Sequence, residues 1–407
     1  MCAATLVFCA ALFSGATPAA DDVGESSGPE SVTITSLADL DRAVPSEYVD
    51  GVVRSLELAG ENADEVLAAL DAADEADVEA LCYLIAYLPP VDLATADSRF
   101  LLDTVSLTRA ARERFPWADS IPEDVYLAYV LSPRVSQEPL ENWRPYLMEQ
   151  LSQRLAGATS MEEAALEVNR WCGERVTYKP TQRRDQGVFE TLSSGYGRCE
   201  EMMIVHISAL RSVGIPARQT WTPYWATTDN NHAWTELWVD GEWRYTGACE
   251  PRDALDDAWF NDAARNAAIV LSSVFGKPAD DDEAYRVEDR FSLVNSIARY
   301  TAPGRLTVSV TREGAPAEGV PVTVSVWNFG ALRAIARQKT GADGNAGVTL
   351  GDGAYFVCAG EREAWAWRLC EISEARETLI ELVLDEGTTF DGAFRLNYTA
   401  APEDAHE

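Results

Sequence analysis

One stretch of the chain holds residues of the types, and in the order, that thiol chemistry needs. It runs GYGRCEEMMIVHISALRSVGIPARQTWTPYWATTDNNHAWTELWVDGEWRYTGACEP, residues 195–251. Cys199 opens it, His232 follows, and a hairpin then brings an acidic residue back toward that histidine. A thiolate attacks carbonyl carbon, an imidazole takes and returns the proton, and an acid orients the imidazole. The position of each group decides whether this chemistry is available.

Gly195 and Gly197 allow a tight backbone approach, and Cys199 then begins a predicted helix carried by Met202, Val205, Ala209, Leu210 and Val213. Gly214 stops it before Ile215-Pro216. The first turn of a helix bears partial positive charge and free amide donors, which favour a thiolate and can hold an oxyanion. The chain has three histidines, His206, His232 and His406. His206 shares the helix with Cys199, but seven residues at about 1.5 Å each separate them by roughly 10 Å, while proton transfer needs about 3 Å. His206 therefore reads as a core histidine, and His406 lies in a polar tail. His232 remains as the base, opening the aromatic strand His232–Val239, after which Asp240-Gly241 signals a tight hairpin.

Three pieces together resemble the transglutaminase-like superfamily: Gly195-Tyr-Gly-Arg-Cys-Glu-Glu, Leu210-Arg-Ser-Val-Gly-Ile-Pro-Ala-Arg218, and His232-Ala-Trp-Thr-Glu-Leu-Trp-Val-Asp-Gly-Glu-Trp243. The resemblance covers roughly residues 155–260. It implies a papain-like core, a cysteine at a helix N-terminus packed on an antiparallel sheet that carries His and Asp. By it, Cys199 matches the nucleophile and His232 the base. The third member departs from the family, because the position of its usual Asp is Gly247. The nearest acid is Glu250. A two-residue turn pairs 239 with 242, hence 232 with 249, so that Cys249 faces His232 and Glu250 comes next along the strand. A chain bulging at Gly247 lets the longer glutamate reach the imidazole. The alternatives are a structural glutamate beside Pro251, orientation of His232 by a carbonyl or water, or a Cys199–Cys249 disulfide that silences the thiol. Gln186 is a candidate oxyanion donor. Trp221, Tyr224, Trp225, Asn231 and Trp234 are candidates to line a substrate cleft, and alternation puts Trp234 and Trp238 on the His232 face.

The elements around this stretch must position it. At 407 residues, the chain has room for several cored domains. The expectation is a multidomain α+β protein. It begins with a signal peptide over 1–20 and a flexible leader over 21–35. A helical region follows over 36–155, then a transglutaminase-like catalytic domain over 156–275. An acidic connection over 276–302 leads to a β-sandwich over 303–390 and a tail over 391–407. Ser36 and Asp39 have capping-box spacing. Val78, Leu81, Cys82, Ile85 and Leu88 form one helical stripe, ended by Pro89 and Pro90; Leu101 to Ala111 form another. Cys82 and Cys172 fall on apolar stripes and read as core. Past residue 303 the period becomes two: Leu306, Val308 and Val310 alternate, as do Val320, Val322, Val324 and Val326. This part resembles prealbumin-like or carboxypeptidase-regulatory-like modules. Trp327, Trp365 and Trp367 read as sandwich core, with glycan contact as the alternative, and Cys358 and Cys370 are near enough in sequence to suggest a disulfide.

The net charge is −33, which repels nucleic acid and anionic membranes. The apolar run over residues 2–20, ending in small residues, resembles a secretory signal without its basic n-region and implies a secreted or periplasmic protein. It is short for a transmembrane helix. There is no CxxC and no zinc constellation, so no cofactor or metal is expected. The function expected is a cysteine-dependent acyl-transfer enzyme acting on a protein or peptide substrate through an acyl-thioester. Hydrolysis is favoured over cross-linking, because the calcium-dependent multidomain setting of animal transglutaminases is not visible here. The alternatives are a non-catalytic adaptor with a degenerate site, and an enzyme cleaving sugar amides as peptide N-glycanases do.

Overall fold

The computed structural model describes residues 44–181, 184–278, 282–361 and 364–386. The signal-like run, the leader, the Ser36 cap, the tail and His406 lie outside the described residues. The protein is α+β, with N-terminal helices, a helix-on-sheet region in the middle and all-β sheets at the end.

The helices follow their apolar stripes. They are α1 (Val49–Ala59), α2 (Ala63–Ala72), α3 (Val78–Tyr87), α4 (Ser98–Arg114) and α5 (Arg144–Arg154). Asp97 caps α4 through the Phe100 amide. Buried Val52, Leu81, Cys82, Ile85 and Leu101 form a core of their own. The region expected as one block over 36–155 divides, however. Leu147 and Leu151 of α5 pack in the next core, with Ile204 and Ile207.

Next come α6 (Met161–Gly173), α7 (Val188–Ser194) and α8 (Cys199–Ser212). Ser160 caps α6, its hydroxyl accepting from the Glu163 amide at 3.2 Å. The strands β1 (Ala217–Thr222), β2 (His232–Val239), β3 (Glu242–Thr246), β4 (Leu271–Val274), β5 (Ala284–Val287) and β6 (Ser292–Asn295) make one sheet in the order β3-β2-β1-β4-β6-β5. All its pairings are antiparallel. The sheet thus extends past residue 275, and the segment expected as an acidic connection supplies two of its six strands. Asp282 is not a solvated linker charge. It is buried against Arg218 at 2.7 Å and Arg299 at 3.0 Å, and it accepts from the Tyr129 hydroxyl at 3.0 Å. Arg218 also meets buried Glu236 at 2.8 Å. Two carboxylates facing two guanidiniums let these charges leave water together.

The last part has strands β7 (Gly304–Arg312), β8 (Pro321–Asn328), β9 (Ala331–Lys339), β10 (Asn345–Leu350), β11 (Gly353–Glu361), β12 (Ala364–Ile372) and β13 (Glu377–Val383). β7 pairs with β10 antiparallel and with β13 parallel, while β9-β8-β11-β12 lie in a second sheet. The alternating valines and Leu306 fill the space between the sheets. Trp327, expected in this core, is 44% exposed. It is the residue before Asn328 at the hairpin end, where an outward side chain has no sheet to cover it. Trp367 stacks on Phe356 at 5.3 Å. Cys358 and Cys370 are both free thiols. Their cross-strand partners are Trp367 and Tyr355, and an offset of three residues puts the two cysteines on opposite faces of the sheet.

Candidate active site

The turn before α8 is tightly built. A Cβ on Gly197 would lie 2.9 Å from Glu201 Cβ, which explains the glycine. Glu201 is fully buried. Its carboxylate accepts from the Arg198 amide at 2.8 Å, the Gln186 amide at 3.2 Å and the Thr181 hydroxyl at 2.7 Å. It therefore ties Thr181 and Gln186 to the start of the helix that begins with Cys199. Its capping-box spacing is present in the sequence, but an arginine occupies the position where Ser or Thr marks that motif. Arg198 also pairs with buried Asp185 at 2.6 Å. Burial pushes the Asp185 carboxyl up to about 6.

Cys199 is the first residue of α8, as expected, and is partly exposed. Its thiol donates to Glu200 Oε2 at 3.2 Å. The Gln186 side-chain oxygen accepts from Thr191 at 3.3 Å and Ser194 at 3.5 Å, so this end of the amide turns toward α7.

Whether His232 can meet this thiol follows from how α8 lies on the sheet. Gly214, at φ 76°, turns the chain from α8 into β1, which is antiparallel to β2. The helix consequently runs in the same direction as β2. His206 Nδ1 meets Thr235 Oγ1 at 3.1 Å, which fixes their relative height. Seven residues back along the helix is about 10 Å, and three residues back along the strand is also about 10 Å. Cys199 and His232 thus come level, each as the first residue of its element, at one end of the sheet. His206 is wholly buried, as a core histidine should be.

The His232 side chain lies on the face opposite α8, since Thr235, an odd number of residues away, faces the helix. His232 packs at 5.9 Å from Trp234, 4.9 Å from Trp259 and 4.8 Å from Phe260, measured between ring centres. Among the described residues its Nε2 is buried without a hydrogen-bond partner. Burial pushes the imidazole down to about 3, and likewise His206, so both are neutral at ordinary pH. Free histidine titrates near 6.5. The unfolded chain then binds protons between pH 6.5 and about 3 that the folded chain refuses, and stability falls as pH falls through that window. Urea midpoints across pH 3.5–7 are expected to show this slope, and His206→Asn is expected to flatten it.

The hairpin register is the expected one, with 239 opposite 242. The extension to 249 fails. β3 ends at Thr246, and Cys249 takes a left-handed φ of 56°, which breaks the alternation. The Cys249 thiol lies 3.4 Å from the Met202 carbonyl in the first turn of α8, not opposite His232, and no disulfide joins it to Cys199. Glu250 does what its place in the chain hides. Its side chain folds back under Gly247, where an added Cβ would overlap Glu250 Oε2 and lie 3.1 Å from Glu250 Cβ. The carboxylate thus fills the space that an Asp side chain at 247 would take. Glu250 Oε2 accepts from Trp259 Nε1 at 2.9 Å, and burial pushes its carboxyl up. Trp259 joins the acid to the imidazole by touching both. No sequence signal marks Trp259, which lies nine residues beyond Glu250 in an irregular segment.

Of the cleft candidates, Trp225 is buried and stacks on Trp234 at 6.0 Å, with ring planes 5° apart. Trp234 is fully buried and donates to the Tyr300 hydroxyl at 2.8 Å. Both act as packing behind His232. Trp221 and Tyr224 pack against the C-terminal core, and Asn231 stands partly exposed before His232. Trp259, 57% exposed, is the aromatic that faces solvent beside the imidazole.

Residues 149–247 match the family model described as transglutaminase-like superfamily. No curated protein matches the sequence. Among solved structures, a protein described as a "Putative Cysteine Protease" from Cytophaga hutchinsonii is 15% identical at a TM-score of 0.28, over 45% of this chain and 66% of that one. Red sea bream transglutaminase is 9% identical at a TM-score of 0.20, over 59% of this chain and 73% of that one. A streptococcal ancillary pilin is 9% identical at 0.19, over 42% and 62%. The chain thus spans just under two thirds of the first and the last of these relatives. Overlaps this partial carry nothing about chemistry. Residues 149–247, from within α5 to the turn after β3, are a transglutaminase-like superfamily core.

Proposed function

We propose that the chain is a cysteine-dependent acyl-transfer enzyme that cleaves peptide or carboxamide bonds, with water as acceptor. What supports this reading is that Cys199 begins α8 and His232 begins β2, with the Glu250 carboxylate in the space of residue 247. Neutral His232 takes the thiol proton, and the Cys199 sulfur bonds to the substrate carbonyl carbon. The oxyanion is held by amides of the first turn of α8. Collapse breaks the C–N bond, and the amine leaves with the proton from His232. Water then attacks the acyl-thioester, giving its proton to His232, and the carboxylic acid and thiol are released. Glu250, through Trp259, holds the imidazole in place. In this reading the enzyme acts outside the cytoplasm, as residues 2–20 imply.

Alkylation of Cys199 by iodoacetamide, followed by mass spectrometry across pH 5–9, tests the reading. Labelling is expected to depend on His232, falling by about 10²-fold or more at neutral pH in His232→Ala. Equal rates in the two proteins, or a rate at Cys199 no greater than at an ordinary thiol, would sink it.

A further inference from the structure

We infer that the C-terminal β domain is a working part of the active site: the hairpin joining β8 to β9 positions His232, and Asn328 is the residue that does so. This rests on the reading of His232 as the base, and deepens it. Asn328 is wholly buried at the tip of the hairpin. Its side-chain amide donates to two carbonyls in the loop between β1 and β2, Trp225 O at 3.0 Å and Thr228 O at 2.8 Å. Next to it, the Phe329 amide donates to Asp229 Oδ1 at 2.6 Å. Phe329 holds a left-handed φ of 50°, a conformation that a bulky residue avoids unless its surroundings impose it. The Trp225 amide donates to Asn230 O at 2.9 Å, closing the loop on itself.

That loop ends at His232. The Trp225 ring lies nearly parallel to Trp234 and 6.5 Å from the imidazole. The ring that backs His232 is thus held by a backbone segment whose carbonyls are satisfied from another domain. Buried carbonyls need partners, and Asn328 supplies two of them. Among the described residues the Asn328 side-chain oxygen is buried without a partner. Loops that carry catalytic groups are otherwise among the least stable parts of a fold. Here the rigid sheet β9-β8-β11-β12 lends its order to the loop before the base.

Two readouts on the full-length protein test this. The first is the pH profile of Cys199 alkylation in wild type, Asn328→Ala, Asn328→Asp and Val357→Ala. Val357 is fully buried in the same sheet, opposite Val324 and four residues from Asn328 in register, so its truncation loosens the domain while leaving the Asn328 amide in place. Both Asn328 variants are expected to label Cys199 about tenfold more slowly at neutral pH, with profiles moved toward that of His232→Ala, while Val357→Ala keeps the wild-type profile. The second is hydrogen exchange of residues 223–231, expected to accelerate in the Asn328 variants alone. Unchanged exchange in those variants, or the same change in Val357→Ala, overturns the inference. Faster exchange in a protein whose wild-type thiol ignores His232 keeps the clamp and removes the acyl-transfer reading instead.

Discussion

Glu250→Ala lowers the rate at which Cys199 is acylated by an activated ester, by about 10²- to 10⁴-fold, the range seen when an acid that orients a catalytic histidine is lost. The informative protein is the one that then moves the acid. Gly247→Asp by itself is harmful, because the new side chain enters space already held by the Glu250 carboxylate. Overpacking of this kind costs about 1–3 kcal/mol. With Glu250→Ala the space is free, and the introduced aspartate stands where the family carries its acid. Gly247 does not adopt a left-handed φ, so the backbone accepts the change. The double variant is expected to be at least tenfold faster than Glu250→Ala, although each single change is damaging. A double variant slower than both singles would show that Glu250 is a structural glutamate beside Pro251.

The second large effect concerns stability. Glu201→Ala removes a wholly buried carboxylate that answers the Arg198 amide and guanidinium, the Gln186 amide and the Thr181 hydroxyl. Breaking a buried, hydrogen-bonded charge pair by deleting one partner costs about 3–5 kcal/mol. Urea unfolding should show the free energy of unfolding falling by that amount, with the midpoint lowered at constant slope. Glu201→Gln keeps the shape and part of the hydrogen bonding, and is expected to lose less. An unchanged midpoint in Glu201→Ala would mean that water replaces the carboxylate at no cost, and that Thr181 and Gln186 are held by something else.

Much of this arrangement is legible in the residues. A cysteine after two glycines, followed by apolar spacing of three and four, can hardly be read other than as a helix start. Asp240-Gly241 sets the hairpin register to the residue. Period-two valines mark the last sheets. What stays hidden depends on contacts between parts distant in the chain. In the sequence Glu250 is only the nearest acid, since the fold-back onto Gly247 is a property of the turn and the left-handed Cys249. The run at 280–283 looks like a solvated charge cluster, because nothing local says that Arg218, some sixty residues earlier, waits for Asp282. Trp259 carries no motif at all. For Trp327 the aromatic in a valine-rich strand suggests burial, but a strand end has only one covered side.

By chain order Ala268, Ile269 and Leu271 belong with the helix-on-sheet region, but they are buried among Leu306, Val322, Tyr355 and Leu382 of the final sheets. The Gly351 amide donates to the Ala268 carbonyl at 2.9 Å, and Asn295 reaches the Thr349 carbonyl at 2.8 Å. Residues shared in this way blur the seam between the helix-on-sheet region and the final sheets. The two are therefore expected to unfold in one transition, larger than either module read from sequence.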